Sequence, residues 1–342
     1  MRARRCWSWA LVMVFLAGRL LGQANDDPAD FERKMHLLDQ SEVRRVLSEA
    51  DRGNPISQLW AGLIYDLGVH VRTDRQKAAA YYRKAADQGS LPAAFYLGRK
   101  YFTGLGVKKN LATAVRLYRA AASGGYPAAE SAMGSVYRGG QGVKRNPAEA
   151  LQWYTRSAGH GFAEGEYNLG LMYREGEGVE KNCTFAVKWL VAAAEQFFIP
   201  AQTALGDIYD RGDCAPQDYL KAAKVYGLAA EHGDATAQFN LGSYYRMGRG
   251  VEKEPERAFY WYSRAAEGGN VQGQFLLGQM YRDGEGVKPD YKEAYKWFTI
   301  SRQNGNEQDG RSSLRGKLTS EDIAGAEQAA REWLKAHPAL SQ

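Results

Sequence analysis

Small and apolar residues recur along the chain with a fixed period of 36 residues. A glycine marks this period seven times without an insertion or deletion, at Gly62, Gly98, Gly134, Gly170, Gly206, Gly242 and Gly278. Tyrosine and alanine return in the same register, from Tyr65 to Tyr281 and from Ala78 to Ala294. A fixed period of this length is typical of a solenoid, in which each repeat packs on its neighbours. The pattern therefore predicts repeated structural elements that build surface for a partner rather than one catalytic pocket.

The first half of each repeat is predicted to be a helix, called helix A. Residues 93–103 place small or apolar side chains at i, i+4, i+5 and i+8, which is one helical face. Glycine in a helix costs about 1 kcal/mol relative to alanine. The recurrence of the Gly98 position therefore predicts that it lets a neighbouring helix backbone approach closely. Helix A is predicted to end at a loop such as residues 104–107, where glycines adopt the left-handed conformation.

The second half of each repeat is predicted to be helix B. An acidic residue or asparagine precedes it in every repeat, at Asp74, Asn110, Asn146, Asn182, Asp218, Glu254 and Asp290. Six of these seven are good N-cap residues, and Pro147 and Pro255 follow at the first helical position. Helix B usually ends at a glycine, but the fourth repeat has Phe197 there. We therefore predict that this helix runs on or turns differently.

The repeats cover residues 56–305, and we predict that their helical hairpins share one continuous core. Residues 25–55 are predicted to form an N-terminal cap with a half-repeat, since residues 42–53 match the second half of a repeat. Residues 306–342 are predicted to form a C-terminal capping helix and tail, because an amphipathic helix begins near Thr319. No change in composition suggests a linker inside the array.

The repeat resembles a known family. Residues 237–269 carry the pattern Ala-x-x-x-Leu-Gly-x-x-Tyr-x-x-Gly-x-Gly-Val, followed by Ala, Trp-Tyr and Ala-Ala-x-x-Gly. This pattern resembles the Sel-like repeat, a relative of the tetratricopeptide repeat. The resemblance implies an all-α fold, a right-handed superhelical α-solenoid of seven 36-residue helix-turn-helix repeats with helical caps. It also implies a non-catalytic adaptor in protein complexes, in bacteria often in the envelope. His70 and Cys214 depart from the pattern by replacing the second loop glycine.

The N-terminus has the features of an export signal. Residues 1–5 are basic, residues 6–18 are apolar, and Gly22-Gln23-Ala24 places small residues where a signal peptidase cleaves. An uncleaved anchor is the alternative, but the apolar stretch is shorter than the roughly 20 residues that a spanning helix needs. We therefore predict a signal peptide at residues 1–24, no stable membrane span after cleavage, and a periplasmic or secreted protein.

The charge of the chain gives no indication of nucleic-acid binding. The formal net charge is +6, and four arginines fall in the first 24 residues, which contain no acidic residue. Without that segment 6 − 4 leaves +2. Nucleic-acid binding favours a basic stripe with interleaved aromatic residues. We therefore predict no nucleic-acid partner.

Catalytic and metal-binding motifs are absent from the sequence. It contains no Gly-x-Ser-x-Gly elbow, phosphate loop, His-Glu-x-x-His or Ser-x-x-Lys. His160 and His232 share a repeat position two repeats apart, too far to share a zinc ion, and are interpreted as solvated turn histidines. We predict no enzyme, no metal and no cofactor. The alternative is a factor associated with envelope polysaccharide or peptidoglycan, or a β-lactamase-like enzyme.

Two cysteines, Cys183 and Cys214, follow the predicted signal peptide. In an oxidising compartment they could form a single disulfide, since both are predicted at the same edge of adjacent repeats. A disulfide requires the two Cα atoms to lie within about 7 Å. Paired and unpaired cysteines therefore both remain open.

One stripe of helix A is left over after its core face is assigned. It comprises the positions equivalent to 95, 99 and 102, and in tetratricopeptide relatives the corresponding stripe lines the concave groove. Aromatic residues and arginines recur on it, at Phe95, Phe102, Arg138, Tyr167, Arg174, Phe239, Arg246, Phe275 and Arg282. Such residues are enriched in interface hot spots, so we predict a monomer that binds a protein or peptide partner, with acidic character, along this stripe. Alternatively, the arginines are ordinary solvated charges at helix ends, and the rings pack against the adjacent repeat.

Overall fold

The structure is a computed structural model that describes residues 28–338. The predicted signal peptide, residues 1–24, lies outside the described residues. In the described range the chain forms helices and short connections, without a β-strand. It divides between Trp189 and Leu190 into two compact units.

The first unit begins with helices Pro28–Met35 and Gln40–Asp51. Helices A and B span Pro55–Leu67 and Arg75–Asp87 in repeat 1, Leu91–Thr103 and Leu111–Ser123 in repeat 2, and Pro127–Gly139 and Pro147–Gly159 in repeat 3. In repeat 4, helix A spans Ala163–Glu175 and helix B spans Cys183–Glu195. The division between the units falls within this last helix.

The second unit continues the same pattern. Helices A and B span Ile199–Arg211 and Tyr219–Glu231 in repeat 5, Ala235–Met247 and Pro255–Glu267 in repeat 6, and Val271–Asp283 and Tyr291–Gln303 in repeat 7. A 3-10 turn, Gly310–Leu314, and a final helix, Ser320–Ala336, follow. From helix Gln40–Asp51 to helix Ala163–Glu175, and from helix Ile199–Arg211 to helix Tyr291–Gln303, each helix packs mainly on a neighbouring helix in the chain, which is the architecture of an α-solenoid.

Side chains cap helix B as the sequence predicts. The side chains of six of the seven residues accept a hydrogen bond from a backbone amide in the first turn of helix B, at Asp74, Asn110, Asn146, Asn182, Asp218 and Asp290. Glu254 has an extended backbone but makes no such bond, because its longer side chain is a poor N-cap. The predicted start of helix B is therefore confirmed.

The loop between helices A and B needs two left-handed residues. Gly104 and Gly106 have φ angles of 83° and 82°. A Cβ on Gly142, the equivalent of Gly106 in the next repeat, would lie 2.9 Å from Cβ of Leu111 in the preceding repeat. Successive loops therefore lie side by side. His70 adopts the same left-handed conformation without being a glycine, at φ 53°.

The end of helix B in repeat 4 differs from the prediction. Helix B stops at Glu195, and Phe197 takes the left-handed conformation at φ 61°. The amide of Phe198 donates to the carbonyl of Ala193 at 3.2 Å, as Tyr126 donates to Ala121 at 3.1 Å where a glycine is present. The expectation that this helix runs on or turns differently was therefore wrong. The backbone hydrogen bonds of the turn hold Phe197 in a conformation that usually favours glycine.

The recurring helix A glycine lies directly against an aromatic ring of helix B. A Cβ on Gly98 would lie 2.7 Å from the ring of Tyr118 in helix B of the same repeat, and one on Gly278 would lie 2.7 Å from the ring of Phe298. The sequence predicted a close approach of two backbones, and the carbonyl oxygen of Ala114 would indeed lie 3.4 Å from the same Cβ on Gly98. The nearest obstacle, however, is the ring. The alanines of the same register, from Ala78 to Ala294, are fully buried.

Apolar side chains close both ends of the described chain. Phe31 and Met35 of the first helix are buried with Trp60 of repeat 1. At the other end Trp333 of the final helix meets Trp297 of repeat 7, with ring centroids 5.6 Å apart. These contacts cover the apolar faces that the terminal repeats would otherwise expose.

Candidate partner-binding face

The candidate site is the stripe formed by the positions equivalent to 95, 99 and 102, referred to below as the helix A stripe. It lies beside the core face of helix A, so its exposure changes from position to position. Arg99 and Ser135 are exposed at the 99-equivalent position, whereas Leu63 is buried there. The stripe is therefore only partly available to a partner.

The aromatic residues of the helix A stripe belong mostly to the core. Phe95 and Phe275 are only 7% and 9% exposed. Their rings meet the aromatic residue of helix B in the same repeat, with centroid distances of 5.9 Å to Tyr118 and 5.4 Å to Phe298. The structure thus places these two predicted groove residues inside the repeat. They can offer little area to a partner.

The other aromatic residues of the stripe are half-buried. Phe239 packs on Tyr262 at 5.8 Å, and Phe102 packs on Tyr118 at 6.3 Å. Tyr167 is also half-buried. Phe102 and Phe239 therefore support the helix pair with one side, and all three rings leave part of their surface exposed.

Arg138 is held in an ion-paired cluster by the next repeat. Its Nε and Nη2 atoms donate to Glu177 and Glu175, both at 2.6 Å, and Arg145 donates to the other oxygen of Glu177 at 2.5 Å. Burial disfavours the charged forms of Arg138 and Glu177, but their hydrogen bond and mutual attraction outweigh it. The pKa of Arg138 is therefore raised and that of Glu177 is lowered. This cluster couples repeat 3 to repeat 4.

Arg246 repeats this arrangement in the second unit. It binds Glu285 of the next repeat through Nε at 3.0 Å and Nη2 at 2.7 Å, and the hydrogen bond that it donates to this carboxylate raises the pKa of Arg246. Arg282 pairs with its neighbour Asp283 at 2.7 Å and donates to Ser313. Arg174 occupies the equivalent position in repeat 4 and is half-buried. The arginines of the stripe are therefore not simply solvated charges.

Acidic members of the same register position also pair with the following repeat. Lys100 of repeat 2 binds Asp66 of repeat 1, and Tyr244 donates to Asp210 at 2.5 Å. This coupling was not predicted from the sequence. A signal was present, because Glu177 and Glu285 stand 39 residues after Arg138 and Arg246. Residues of opposite charge at a constant spacing slightly longer than the repeat indicate a bond between neighbours.

A second coupling missed from the sequence is a buried glutamine at the start of helix A. Gln238 donates to the carbonyl of Ala230 at 3.0 Å, and Gln274 donates to that of Ala266 at 3.2 Å. Gln58 makes the same bond to Ala50 in the first unit. In each case the amide satisfies a carbonyl at the end of the preceding helix B, where helices leave carbonyls without a partner.

His160 and His232 both make hydrogen bonds within the protein, so they are not simply solvated turn residues. Nδ1 of His160 lies 2.8 Å from a carboxylate oxygen of the buried Glu130, and Nδ1 of His232 lies 2.8 Å from the carbonyl of Leu228. Within residues 28–338, no three histidine, cysteine or acidic residues come together in a way that could hold a metal ion. Among the helices of this range, none has the length and apolar character to cross a membrane.

The two cysteines fall in different units, Cys183 in the first and Cys214 in the second. The backbone of Cys214 is left-handed, at φ 70°, like the loop glycine that it replaces. Their pairing stays a prediction. Titration of thiols in the denatured chain, before and after reduction, would test it.

Comparison with known proteins identifies the family. The profile of the Sel1 repeat matches seven consecutive segments, residues 55–90, 91–126, 127–162, 163–196, 199–234, 235–270 and 271–306. The chain therefore belongs to the Sel1 repeat family, and the predicted α-solenoid fold is confirmed. No protein with a curated function matches the chain.

Two solved structures illustrate the likeness. A Sel1 repeat protein from Oxalobacter formigenes is 30% identical over 88% of this chain and 85% of its own, with a TM-score of 0.65. The protein c5321, a protective antigen present in uropathogenic Escherichia coli strains with an SLR fold, is 29% identical over 90% of this chain and 76% of its own, with a TM-score of 0.53. The likeness thus extends over most of the chain.

Proposed function

We propose that this protein is an exported, monomeric, non-catalytic adaptor that binds an extended protein or peptide segment along the helix A stripe. One observation carries the proposal. At the 99-equivalent position the seven repeats carry five different residue types: Leu63, Arg99, Ser135, Leu171, Asp207, Ser243 and Gln279. The glycine directly before this position is the same in all seven repeats.

The contrast between these two neighbouring positions has a physical reason. A residue that packs the core must fit the same space in each repeat, and in six of the seven repeats a Cβ on the neighbouring glycine would meet a helix B ring. A residue that faces a partner can differ in charge and size from repeat to repeat, and this difference supplies specificity. Repeat proteins use such a surface to read an extended partner one repeat at a time.

The acidic character of the partner is proposed from Arg99. This residue is exposed, and its guanidinium lies 5.9 Å from the ring centroids of Phe95 and Tyr96. Arg138 and Arg246 already bind carboxylates of the chain, so a partner would first have to displace Glu177 or Glu285. We therefore assign the main contact with an acidic group to Arg99. Such a rim charge mainly affects the association rate and its dependence on salt.

Photo-crosslinking in cells tests the binding face. A crosslinking amino acid is placed at Ser135 on the helix A stripe or, as a control, at Gln152, which is exposed on helix B of the same repeat. We expect a partner adduct from Ser135 alone, and the purified partner should bind the Arg99→Glu variant more weakly than the Arg116→Glu variant, since Arg116 is exposed on helix B. Equal crosslinking from both positions would exclude the stripe as the binding face.

Export has its own experiment. Cell fractionation and N-terminal sequencing should find the protein outside the cytoplasm, with Asn25 as its first residue. A protein that stays in the cytoplasm with Met1 intact would overturn this part of the proposal.

A further inference from the structure

Two neighbouring loops of the first unit are purely basic. The loop of repeat 2, residues 103–110, contains Lys108 and Lys109, and the loop of repeat 3, residues 139–146, contains Lys144 and Arg145. Neither loop has an acidic residue. The equivalent loops of the other five repeats each contain at least as many acidic as basic residues. The positive charge is therefore a local feature of repeats 2 and 3.

The cations of these loops are largely unengaged. Lys108, Lys109 and Lys144 are exposed and make no hydrogen bond or ion pair with another of the residues 28–338. Arg72, in the loop of repeat 1, is likewise exposed and unpaired within that range. Only Arg145 is used inside the protein, by Glu177 and the carbonyl of Arg138. These loops therefore differ from the helix A stripe, where the chain pairs its own arginines.

Exposed leucines lie among these cations. Leu67 ends helix A of repeat 1 and is 42% exposed, and Leu105 lies in the loop of repeat 2 and is 41% exposed. Arg75, which directly follows the loop of repeat 1, lies against Gly106 in the loop of repeat 2, so these two loops are neighbours. Together Leu67, Arg72, Leu105, Lys108, Lys109 and Lys144 form what we call the basic loop edge.

We infer that the basic loop edge binds the surface of an anionic phospholipid membrane. Lysines on flexible stems attract a layer of lipid phosphates without needing a fixed geometry, whereas carboxylate recognition favours the planar fork of arginine. Three of the four unpaired cations are lysines. Exposed leucines beside cations are also what a protein inserts into the headgroup region of a bilayer.

The expected strength follows from the number of charges. Each lysine near an anionic surface contributes about a fivefold gain in membrane partitioning. Three lysines therefore give roughly a hundredfold gain at low salt. This attraction weakens as added salt shortens the range of the electrostatic field.

Vesicle sedimentation of the full chain tests the inference. The protein is mixed with vesicles of phosphatidylcholine alone or of phosphatidylcholine with phosphatidylglycerol. The N-terminal apolar segment is common to all variants, so the readout is the ratio of binding to the two vesicles. We expect a ratio of roughly ten or more for the unchanged chain. Removing Lys108, Lys109 and Lys144 together by lysine-to-glutamine substitution should lower it about fivefold or more, while Arg72 and the arginines of residues 1–24 keep it above one.

The matched control removes lysines from loops that also carry acidic residues. Lys253→Gln with Lys288→Gln should leave the ratio within about twofold, although it removes nearly as much charge. Leu105→Ser should weaken binding to anionic vesicles without changing its salt dependence. Thermal melts confirm that each variant is folded.

Two results would overturn the inference. The first is an unchanged chain that shows no preference for phosphatidylglycerol. The second is a triple variant that binds anionic vesicles as well as the unchanged chain. If the unchanged chain ignores vesicles but binds poly-glutamate through the same three lysines, the basic loop edge binds an acidic peptide and the membrane reading fails.

Discussion

At the scale of single residues, the helix A glycine of repeat 2 lies directly against the ring of Tyr118 in helix B. We expect Gly98→Ala to destabilise the protein by about 1 to 3 kcal/mol, because the new Cβ would overlap the ring of Tyr118. Urea denaturation measures the free energy of unfolding. A stability equal to that of the unchanged chain would show that the ring moves aside without cost.

The final helix offers a matched control for this substitution. Gly325 is also helical, but a Cβ there would meet nothing within 4 Å. We expect Gly325→Ala to be neutral or to stabilise the protein by up to about 1 kcal/mol, since alanine favours the helix. Opposite signs for the two substitutions would separate the ring contact from helix propensity.

The sequence predicts buried alanines better than it predicts aromatic residues. An alanine that recurs at one core position has too short a side chain to reach another surface, so the period alone predicts that it is buried. A ring such as Phe95 is long enough to reach the core from the edge of the helix A stripe, so spacing alone does not predict whether it is buried or exposed. Its burial depends on Tyr118, a residue of the next helix. For this reason part of the predicted groove lies in the core.

At the scale of helices and turns, Phe197 shows how strongly the repeat imposes its backbone. A bulky residue in the left-handed region costs about 1 to 2 kcal/mol, and glycine avoids this cost. We therefore expect Phe197→Gly to stabilise the protein by about 1 kcal/mol, since the ring is 70% exposed and few contacts are lost. Urea denaturation checks this value.

The reverse substitution tests the same conformational cost. Gly233 ends helix B of repeat 5 at φ 92°, in open space. Gly233→Ala should therefore lower the free energy of unfolding by about 1 kcal/mol. Phe197→Gly could instead destabilise the protein. The stabilisation from the contact between the rings of Phe197 and His232, whose centroids are 6.2 Å apart, would then exceed the cost of the left-handed backbone.

Glu177 gives the coupling between repeats 3 and 4 a pH dependence. Its folded pKa is lowered, so its contribution is present above the unfolded pKa of about 4.3 and is lost as the pH falls through the folded pKa. We expect Glu177→Gln to lower the free energy of unfolding by about 1 to 2 kcal/mol near pH 7, because the carboxylate that accepts hydrogen bonds from two arginines is removed. The difference from the unchanged chain should shrink toward pH 3.

Glu180 in the same loop is the control for this prediction. It is exposed and makes no ion pair with another described residue. Unfolding of Glu180→Gln should match the unchanged chain at both pH values. If Glu177→Gln shows the same loss at pH 3 as at pH 7, its effect comes from packing and not from the charge.

At the scale of the whole molecule, the period predicts the fold because every repeat faces the same packing problem. The helices, their caps and the loop glycines follow from local patterns that recur seven times. The binding face is harder to predict, since it depends on which charges the protein already uses. Charges at one register position bind the neighbouring repeat at Arg138 and Asp66, whereas loop lysines of repeats 2 and 3 have no partner in the described chain. Only the structure separates these two classes.

Stability in such an array is a sum of contacts between neighbours, so damage at one end should stay local. Ala330 of the final helix is fully buried with Trp297 and Ile300 of repeat 7. We expect Ala330→Glu to cost about 2 kcal/mol or more, because it places an unpaired carboxylate in that apolar contact. The final helix should detach first. Hydrogen exchange should then show lost protection in Tyr291–Gln303 and unchanged protection in Leu111–Ser123.

Glu332→Ala, at an exposed position of the final helix, is the control and should leave the protection of both helices unchanged. Equal loss of protection in both helices would mean that the chain unfolds as one cooperative body, against the nearest-neighbour description.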